Sequence, residues 1–135
     1  MFALRNTALQ FSRTSTSRVF STSTSRLAVK ELTSFQDFKK EVLPNKKVSL
    51  VDFYATWCGP CKQMAPLLEN FSENAYKDNV DFYKVDVDQQ SDLSVEYGIT
   101  AMPTFVIFKD GEVFYKVVGA NPQGIKQVLD AALKE

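Results

Sequence analysis

The sequence predicts an α/β fold, with a central mixed five-stranded sheet flanked by about four helices. After residue 27, short apolar segments typical of strands alternate with segments of helical periodicity, which favours parallel strand pairing. Near the C-terminus, two strand-like segments flank Asp110-Gly111, a strong hairpin signal that adds an antiparallel edge. The chain has 135 residues, of which 44% are apolar, enough for one domain with a real core.

The first half of this domain is predicted to hold two strands and two helices. A short strand at 28–32 is followed by a helix that Ser34 caps and that ends by Pro44, and then by a buried strand at 48–55. The second helix is predicted from its apolar residues at steps of three and four, which are Met64, Leu68, Phe71 and Ala75. We expect Pro60 at the first position of this helix and a kink at Pro66.

The second half of the domain is predicted to continue the alternation of strands and helices. A second central strand is predicted at 80–87, then a short helix at 91–97 that Gly98 terminates. The hairpin strands are predicted at 104–109 and 112–118, and Asn121 is predicted to cap the last helix, with Pro122 at its start.

The N-terminal segment has a composition of its own. Residues 1–26 contain four arginines, no acidic residue and eleven Ser or Thr, which is typical of an organelle transit peptide. A disordered polar tail is the alternative, whereas a secretory signal lacks its unbroken apolar stretch. We predict a mitochondrial transit peptide over 1–27, cleaved after about Phe20 or Leu27, a folded domain over 28–135, and location in the matrix. Without residues 1–26, the chain has 12 basic and 16 acidic residues.

Composition excludes several classes of function. Sixteen basic residues balance sixteen acidic ones, so the charge does not indicate a nucleic-acid partner. No apolar run approaches the roughly 20 residues of a membrane span. Cys58 and Cys61 are the only cysteines and histidine is absent, so one chain cannot supply the four ligands of a closed zinc site. The Cys-x-x-Cys spacing therefore favours dithiol–disulfide redox chemistry, with inert core cysteines as the alternative.

Two charged residues fall on predicted buried strands. Asp52 shares a strand face with Val48, Leu50 and Tyr54, so we expect desolvation to raise its pKa, as in a buried general acid–base. A carboxylate pointing to solvent is the alternative. Lys84 lies on the corresponding face of the next central strand, and a buried ammonium needs a partner. We predict Asp52 as that partner if the two strands pair; otherwise Lys84 extends to the surface.

The segment Val-Asp-Phe-Tyr-Ala-Thr-Trp-Cys-Gly-Pro-Cys-Lys, the later Ala-Met-Pro-Thr-Phe and the order of elements resemble the thioredoxin family, from about residue 28 to the end. The resemblance implies the thioredoxin fold, a redox-active Cys58–Cys61 disulfide, and an Asp52 that helps to move the Cys61 proton. One departure is Tyr54, which stands where many thioredoxins have a second tryptophan.

The resemblance also implies a substrate-docking surface. Sequence alone favours a trans bond before Pro103, since only about 5–6% of X–Pro bonds are cis. The family pattern instead places a cis proline opposite the cysteines and leaves the Met102 backbone free to bind an extended substrate. It completes the surface with Trp57, Gly59, Pro60, Gly119 and Ala120. For Trp57, ordinary core packing is the alternative.

The two cysteines have different predicted roles. Cys58 directly precedes a helix, whose free N–H groups and positive dipole end lower the pKa of a thiol there. Thiolate is the attacking species in disulfide exchange, so Cys58 is the predicted nucleophile and Cys61 the resolving cysteine.

The resemblance therefore implies a protein-disulfide reductase that holds no cofactor and contributes to mitochondrial redox homeostasis. Its electrons would come from NADPH through a flavoprotein thioredoxin reductase. Its other partners would be disulfide-containing proteins, with peroxiredoxin-like proteins as candidates, and we expect a monomer. A disulfide isomerase is disfavoured because the Gly-Pro dipeptide lacks a histidine that would make the site more oxidising. A glutaredoxin is disfavoured because that family typically has Cys-Pro-Tyr-Cys, and a module sharing a metal across a dimer is a third alternative.

Overall fold

A computed structural model describes residues 28–134, so the predicted transit peptide lies outside the described residues. The strands are β1 (Val29–Glu31), β2 (Val48–Tyr54), β3 (Val80–Asp86), β4 (Thr104–Lys109) and β5 (Glu112–Val118). The helices are α1 (Phe35–Glu41), α2 (Gly59–Glu73), α3 (Ser91–Glu96) and α4 (Pro122–Lys134). The predicted fold class and order of elements are confirmed.

The five strands form one mixed sheet in the order β1-β3-β2-β4-β5. β3 runs parallel to both β1 and β2, whereas β4 runs antiparallel to β2 and β5. Antiparallel pairing therefore includes the central strand β2 and is not confined to the hairpin at the edge of the sheet. The hairpin turn has positive φ at both Asp110 (53°) and Gly111 (79°), as a type I′ turn requires.

Helices cover both faces of the sheet. Leu50 on β2 belongs to a core with Met64 of α2 and Leu129 of α4. Phe53, on the other face of β2, belongs to a second core with Phe38 of α1. Because successive side chains of a strand alternate between faces, Asp52 lies on the Leu50 side of the sheet.

Local signals fix several helix ends as the sequence predicts. The side chains of Ser34 and Asn121 each accept a backbone N–H at 3.0 Å in the first turn of α1 and α4. Gly98 follows α3 with a φ of 65°, a conformation that favours glycine.

One expectation about α2 is corrected: this helix begins at Gly59, so Pro60 is its second residue and not its first. The Pro60 position still lies among the first four, where an N–H has no partner within the helix. Pro66 lies inside α2, which continues to Glu73.

Candidate active site

The two cysteines lie at the N-terminal end of α2 and form a disulfide bond. Their Cα atoms are 5.3 Å apart, within the usual range for a disulfide. Cys58 is the N-cap of α2, and its Sγ accepts the backbone N–H of Cys61 at 3.1 Å. Both residues are 5% exposed, so exposure does not distinguish them. The difference lies in the helix: Cys58 precedes it and receives its N–H, whereas Cys61 lies within its first turn.

The loop before β4 packs against the core cluster that contains the disulfide. The Met102–Pro103 peptide bond is cis, as the family resemblance implies. Met102 packs against the core cluster that contains Cys58 and Cys61. The Gly119 N–H donates to the Pro103 carbonyl at 2.8 Å, which places the loop after β5 next to this proline. Met102 therefore packs on the core that contains the cysteines, and the loop after β5 is bonded to the buried Pro103.

Trp57 lies on the outside of the protein. Its side chain is 66% exposed, which excludes the core-packing alternative. The indole Nε1 donates to Asp88 Oδ2 at 2.9 Å, and the Asp88 N–H donates to Asp86 Oδ1 at 2.9 Å. The sequence analysis did not identify Asp88; the signal was a short acidic side chain just after a central strand. Gly59 and Pro60 at the start of α2 and Ala120 in the β5–α4 loop are also exposed.

Asp52 is buried at 5% exposure, which excludes the alternative of a carboxylate in solvent. Within residues 28–134, its Oδ1 atom finds no hydrogen-bond partner. Burial raises the pKa of Asp52 to about 7, the positive charge of Lys84 acts in the opposite direction, and the Glu31 carboxylate adds to the rise. The carboxyl group can therefore gain or lose a proton near neutral pH.

Lys84 occupies the strand position paired with Asp52, but its direct ion pair is with a different residue. In the register of the sheet, Lys84 pairs with Asp52 on one side and with Glu31 on the other. Its Nζ lies 3.8 Å from Glu31 Oε1, and no such contact joins it to Asp52 in the described part of the chain. The strands pair as expected and the Lys84 charge acts on Asp52, but the expected direct ion pair is corrected: half-buried Lys84 contacts Glu31 of the edge strand β1.

Glu31 is a site residue that the sequence analysis missed. It accepts the Tyr54 hydroxyl at 2.7 Å on Oε2 and 3.0 Å on Oε1. Finding it required knowing that β1 pairs with β3, which a three-residue strand does not reveal in sequence. Tyr54, which replaces the more usual tryptophan, supplies the hydroxyl that makes this contact possible.

A cleft of about 260 Å³ connects the buried carboxyl with the disulfide. Its wall includes Asp52 and Tyr54 from β2, Cys61 and Lys62 from α2, and Lys84 from β3. A cleft of this size has room for several water molecules. Asp52 and Cys61 therefore face the same cleft.

No group of three or more His, Cys, Asp or Glu side chains within residues 28–134 is arranged to hold a metal ion. None of the helices described is both long and apolar enough to span a membrane.

Comparison with known proteins identifies what the chain is similar to. Residues 28–131 match the family model described as Thioredoxin. Thioredoxin-1 of Saccharomyces cerevisiae is 47% identical over 103 residues, which are 76% of this chain and 97% of that protein. A mitochondrial thioredoxin of the same yeast, Thioredoxin-3, is 45% identical over 100 residues, which are 74% of this chain and 76% of that protein.

A solved structure shows the same architecture. It comes from work on the thiol-resolving mechanism of a yeast mitochondrial 1-Cys peroxiredoxin through glutathione and thioredoxin systems. Its matching chain superposes with a TM-score of 0.71 at 41% identity, covering 76% of this chain and 94% of that one.

Proposed function

The chain belongs to the thioredoxin family of disulfide oxidoreductases, and we propose that it reduces disulfide bonds in partner proteins by exchange through Cys58 and Cys61. The observation that carries this proposal is the bonded cysteine pair at the start of α2, where the Cys58 sulfur receives a helix N–H. In the reduced protein, a helix N–H directed at this sulfur stabilises the thiolate, so Cys58 is the better nucleophile.

The exchange proceeds in two steps. The Cys58 thiolate attacks one sulfur of the partner disulfide, that S–S bond breaks, and the other partner sulfur leaves as a thiolate. Cys61 then loses its proton to Asp52 and attacks the Cys58 sulfur, which breaks the mixed disulfide and releases the second partner sulfur as a thiolate. The partner gains two electrons, and the chain ends with the Cys58–Cys61 disulfide.

The next round requires a source of two electrons. The chain holds no cofactor of its own in this scheme, and a flavoprotein thioredoxin reductase transfers the electrons from NADPH to the disulfide. Peroxiredoxin-like proteins are candidate partners. The study of a yeast mitochondrial peroxiredoxin with a thioredoxin system supports that class, since its matching chain is similar to this one.

The proposed location is the mitochondrial matrix. The Arg-rich, Ser-rich and acid-poor segment 1–26 supports it, as does the similarity to a mitochondrial thioredoxin. N-terminal sequencing of the protein recovered from cells tests the proposal: we expect it to start near residue 21 or 28, and a mature chain starting at Met1 would contradict it.

The activity is tested by turnover of a protein disulfide, such as that of insulin. We expect NADPH and thioredoxin reductase to support continuous reduction. Glutathione, glutathione reductase and NADPH form the matched control and should support little. Activity only with the glutathione system would show that the chain works as a glutaredoxin does and would overturn the proposal.

A further inference from the structure

We propose that Glu31 is a positioning residue for this exchange: it holds the Lys84 ammonium at the edge of the sheet, away from Asp52, and thereby sets the pH range over which Asp52 accepts a proton. The inference rests on the proposed function, because the effect matters for exchange only if Asp52 takes the Cys61 proton. The interaction between the Glu31, Lys84 and Asp52 side chains can be measured without an assay of disulfide reduction.

Glu31, Lys84 and Asp52 lie side by side on three adjacent strands. Lys84 is in the middle, in register with Glu31 of β1 and with Asp52 of β2. Two carboxyl groups thus compete for one ammonium, and the ammonium lies 3.8 Å from Glu31. The side chains of Glu31 and Lys84 are 34% and 38% exposed, whereas Asp52 is 5% exposed. An ion pair near solvent costs less desolvation than one at the buried Asp52, which explains why Lys84 pairs with Glu31.

Tyr54 keeps Glu31 in place. Its hydroxyl donates to the Glu31 carboxylate at 2.7 and 3.0 Å, and its ring centroid lies 5.6 Å from Lys84 Nζ. The ring attracts the ammonium through its π-electrons. Tyr54 therefore contacts both members of the ion pair, and it lines the cleft to Cys61 together with Lys84 and Asp52.

The charge around Asp52 depends on where the ammonium lies. The titratable or charged groups that act on Asp52 or line its cleft come from β1, β2, β3 and α2, and they are Glu31, Tyr54, Lys84, Cys61 and Lys62. Asp86 acts on Tyr54, and α4 brings the apolar Ile125 and Leu129 to the core on this face of the sheet. β4 places Phe105, which carries no charge, beside Asp52. Lys84 and Lys62 are the cations of this set, and Lys84 is the one in register with Asp52. Releasing Lys84 from Glu31 would let it approach Asp52 and favour the ionised carboxylate.

Glu31→Gln is the variant that tests this. It removes the negative charge but keeps a side-chain oxygen that can accept the Tyr54 hydroxyl. The readout is the titration of the Asp52 carboxyl carbon by NMR in the oxidised protein, in which neither cysteine titrates. We expect the midpoint to fall by about one pH unit, the lower end of the effect of an approaching cation. Glu41→Gln is the matched control, because Glu41 pairs with Lys30, whose side chain lies on the other face of β1. It should leave the midpoint unchanged.

Repeating the Glu31→Gln substitution in a protein without the Lys84 ammonium distinguishes an effect transmitted by Lys84 from a direct effect of the Glu31 charge on Asp52. In Lys84→Met, which keeps an unbranched apolar stem, Glu31→Gln should move the Asp52 midpoint by less than about a third of its effect in the wild type. Lys84→Gln serves the same purpose if the methionine variant folds poorly. An equal shift in both backgrounds, or no shift from Glu31→Gln in the wild type, would overturn the proposal.

Turnover adds the functional readout. In Glu31→Gln, the acid limb of the pH profile for disulfide reduction should move down by the same amount as the Asp52 midpoint. An acid limb that stays in place while the NMR midpoint moves would contradict the link between Glu31 and exchange. A wild-type protein without any reductase activity would instead refute the proposed function, and the NMR titrations would still decide how the three side chains interact.

Discussion

Replacing Asp52 by asparagine should raise the stability of the oxidised protein, relative to the wild type, as the pH rises from acid to above neutral. Asp52 is buried, and its Oδ1 has no hydrogen-bond partner within residues 28–134. Its pKa is raised from 3.8 to about 7 by burial. Between these two values the unfolded chain releases a proton that the folded chain keeps, so the folded state loses stability as the pH rises.

The loss of stability depends on the difference between the pKa values of Asp52 in the unfolded and folded states. Each pH unit between 3.8 and about 7 costs the folded state about 1.4 kcal/mol. The total is about 4 kcal/mol, complete above the folded pKa and absent below the unfolded one. Asparagine carries no charge at any pH, so its own cost of burying an amide is a constant offset. The prediction therefore concerns the change with pH and not the absolute stability of the variant.

Urea unfolding of the oxidised wild type and Asp52→Asn at about pH 4 and about pH 8.5 measures this change. We expect the free energy of unfolding of the variant, relative to wild type, to rise by about 4 kcal/mol between the two conditions. Asp130→Asn is a control of opposite sign. The Tyr76 hydroxyl holds the pKa of Asp130 below its usual value, so that variant should lose relative stability at neutral pH and not in acid. A relative stability of Asp52→Asn that changes by less than about 1 kcal/mol would refute the reasoning.

Further substitutions test the fold by the same unfolding measurement. Gly111→Ala should cost more than about 2 kcal/mol, because φ is +79° and the methyl group would overlap the Leu43 carbonyl oxygen. Gly98→Ala, with φ of +65° but no such overlap, should cost about 1 kcal/mol, and an equal loss in both variants would contradict the role of Leu43. Ser34→Ala should cost about 1 kcal/mol through its lost N-cap bond, with Ser34→Thr close to wild type. Phe53→Ala should cost about 3–5 kcal/mol, since this ring is fully buried, and a loss below about 1 kcal/mol would be inconsistent with the described core.

Features that depend on a few neighbouring residues could be predicted from the sequence. Ser34 caps α1 and Asp110-Gly111 closes the hairpin because the side-chain hydrogen bond and the positive φ values are local requirements. The buried position of Asp52 also followed from strand alternation alone, since its strand neighbours are apolar. These predictions needed no knowledge of which strands pair.

Features that depend on long-range pairing could not be predicted in the same way. The cis bond before Pro103 goes against the general preference for trans, and only the family resemblance indicated it. The sequence predicts that Lys84 pairs with Asp52, because these two residues lie on corresponding faces of the two long central strands. The third strand, β1, has only three residues, and its register with β3 is what brings Glu31 to Lys84. The competition between two carboxyl groups became visible only with the sheet order.

The central claim is that Cys58 attacks the partner disulfide and Cys61 resolves the mixed disulfide, and trapping tests it most directly. Cys61→Ser and Cys58→Ser, each reduced and mixed with a disulfide-containing protein, are compared by non-reducing electrophoresis and mass spectrometry. The account predicts that Cys61→Ser accumulates a covalent complex through Cys58, while Cys58→Ser forms none. Equal trapping by the two variants, or trapping by Cys58→Ser alone, would contradict it.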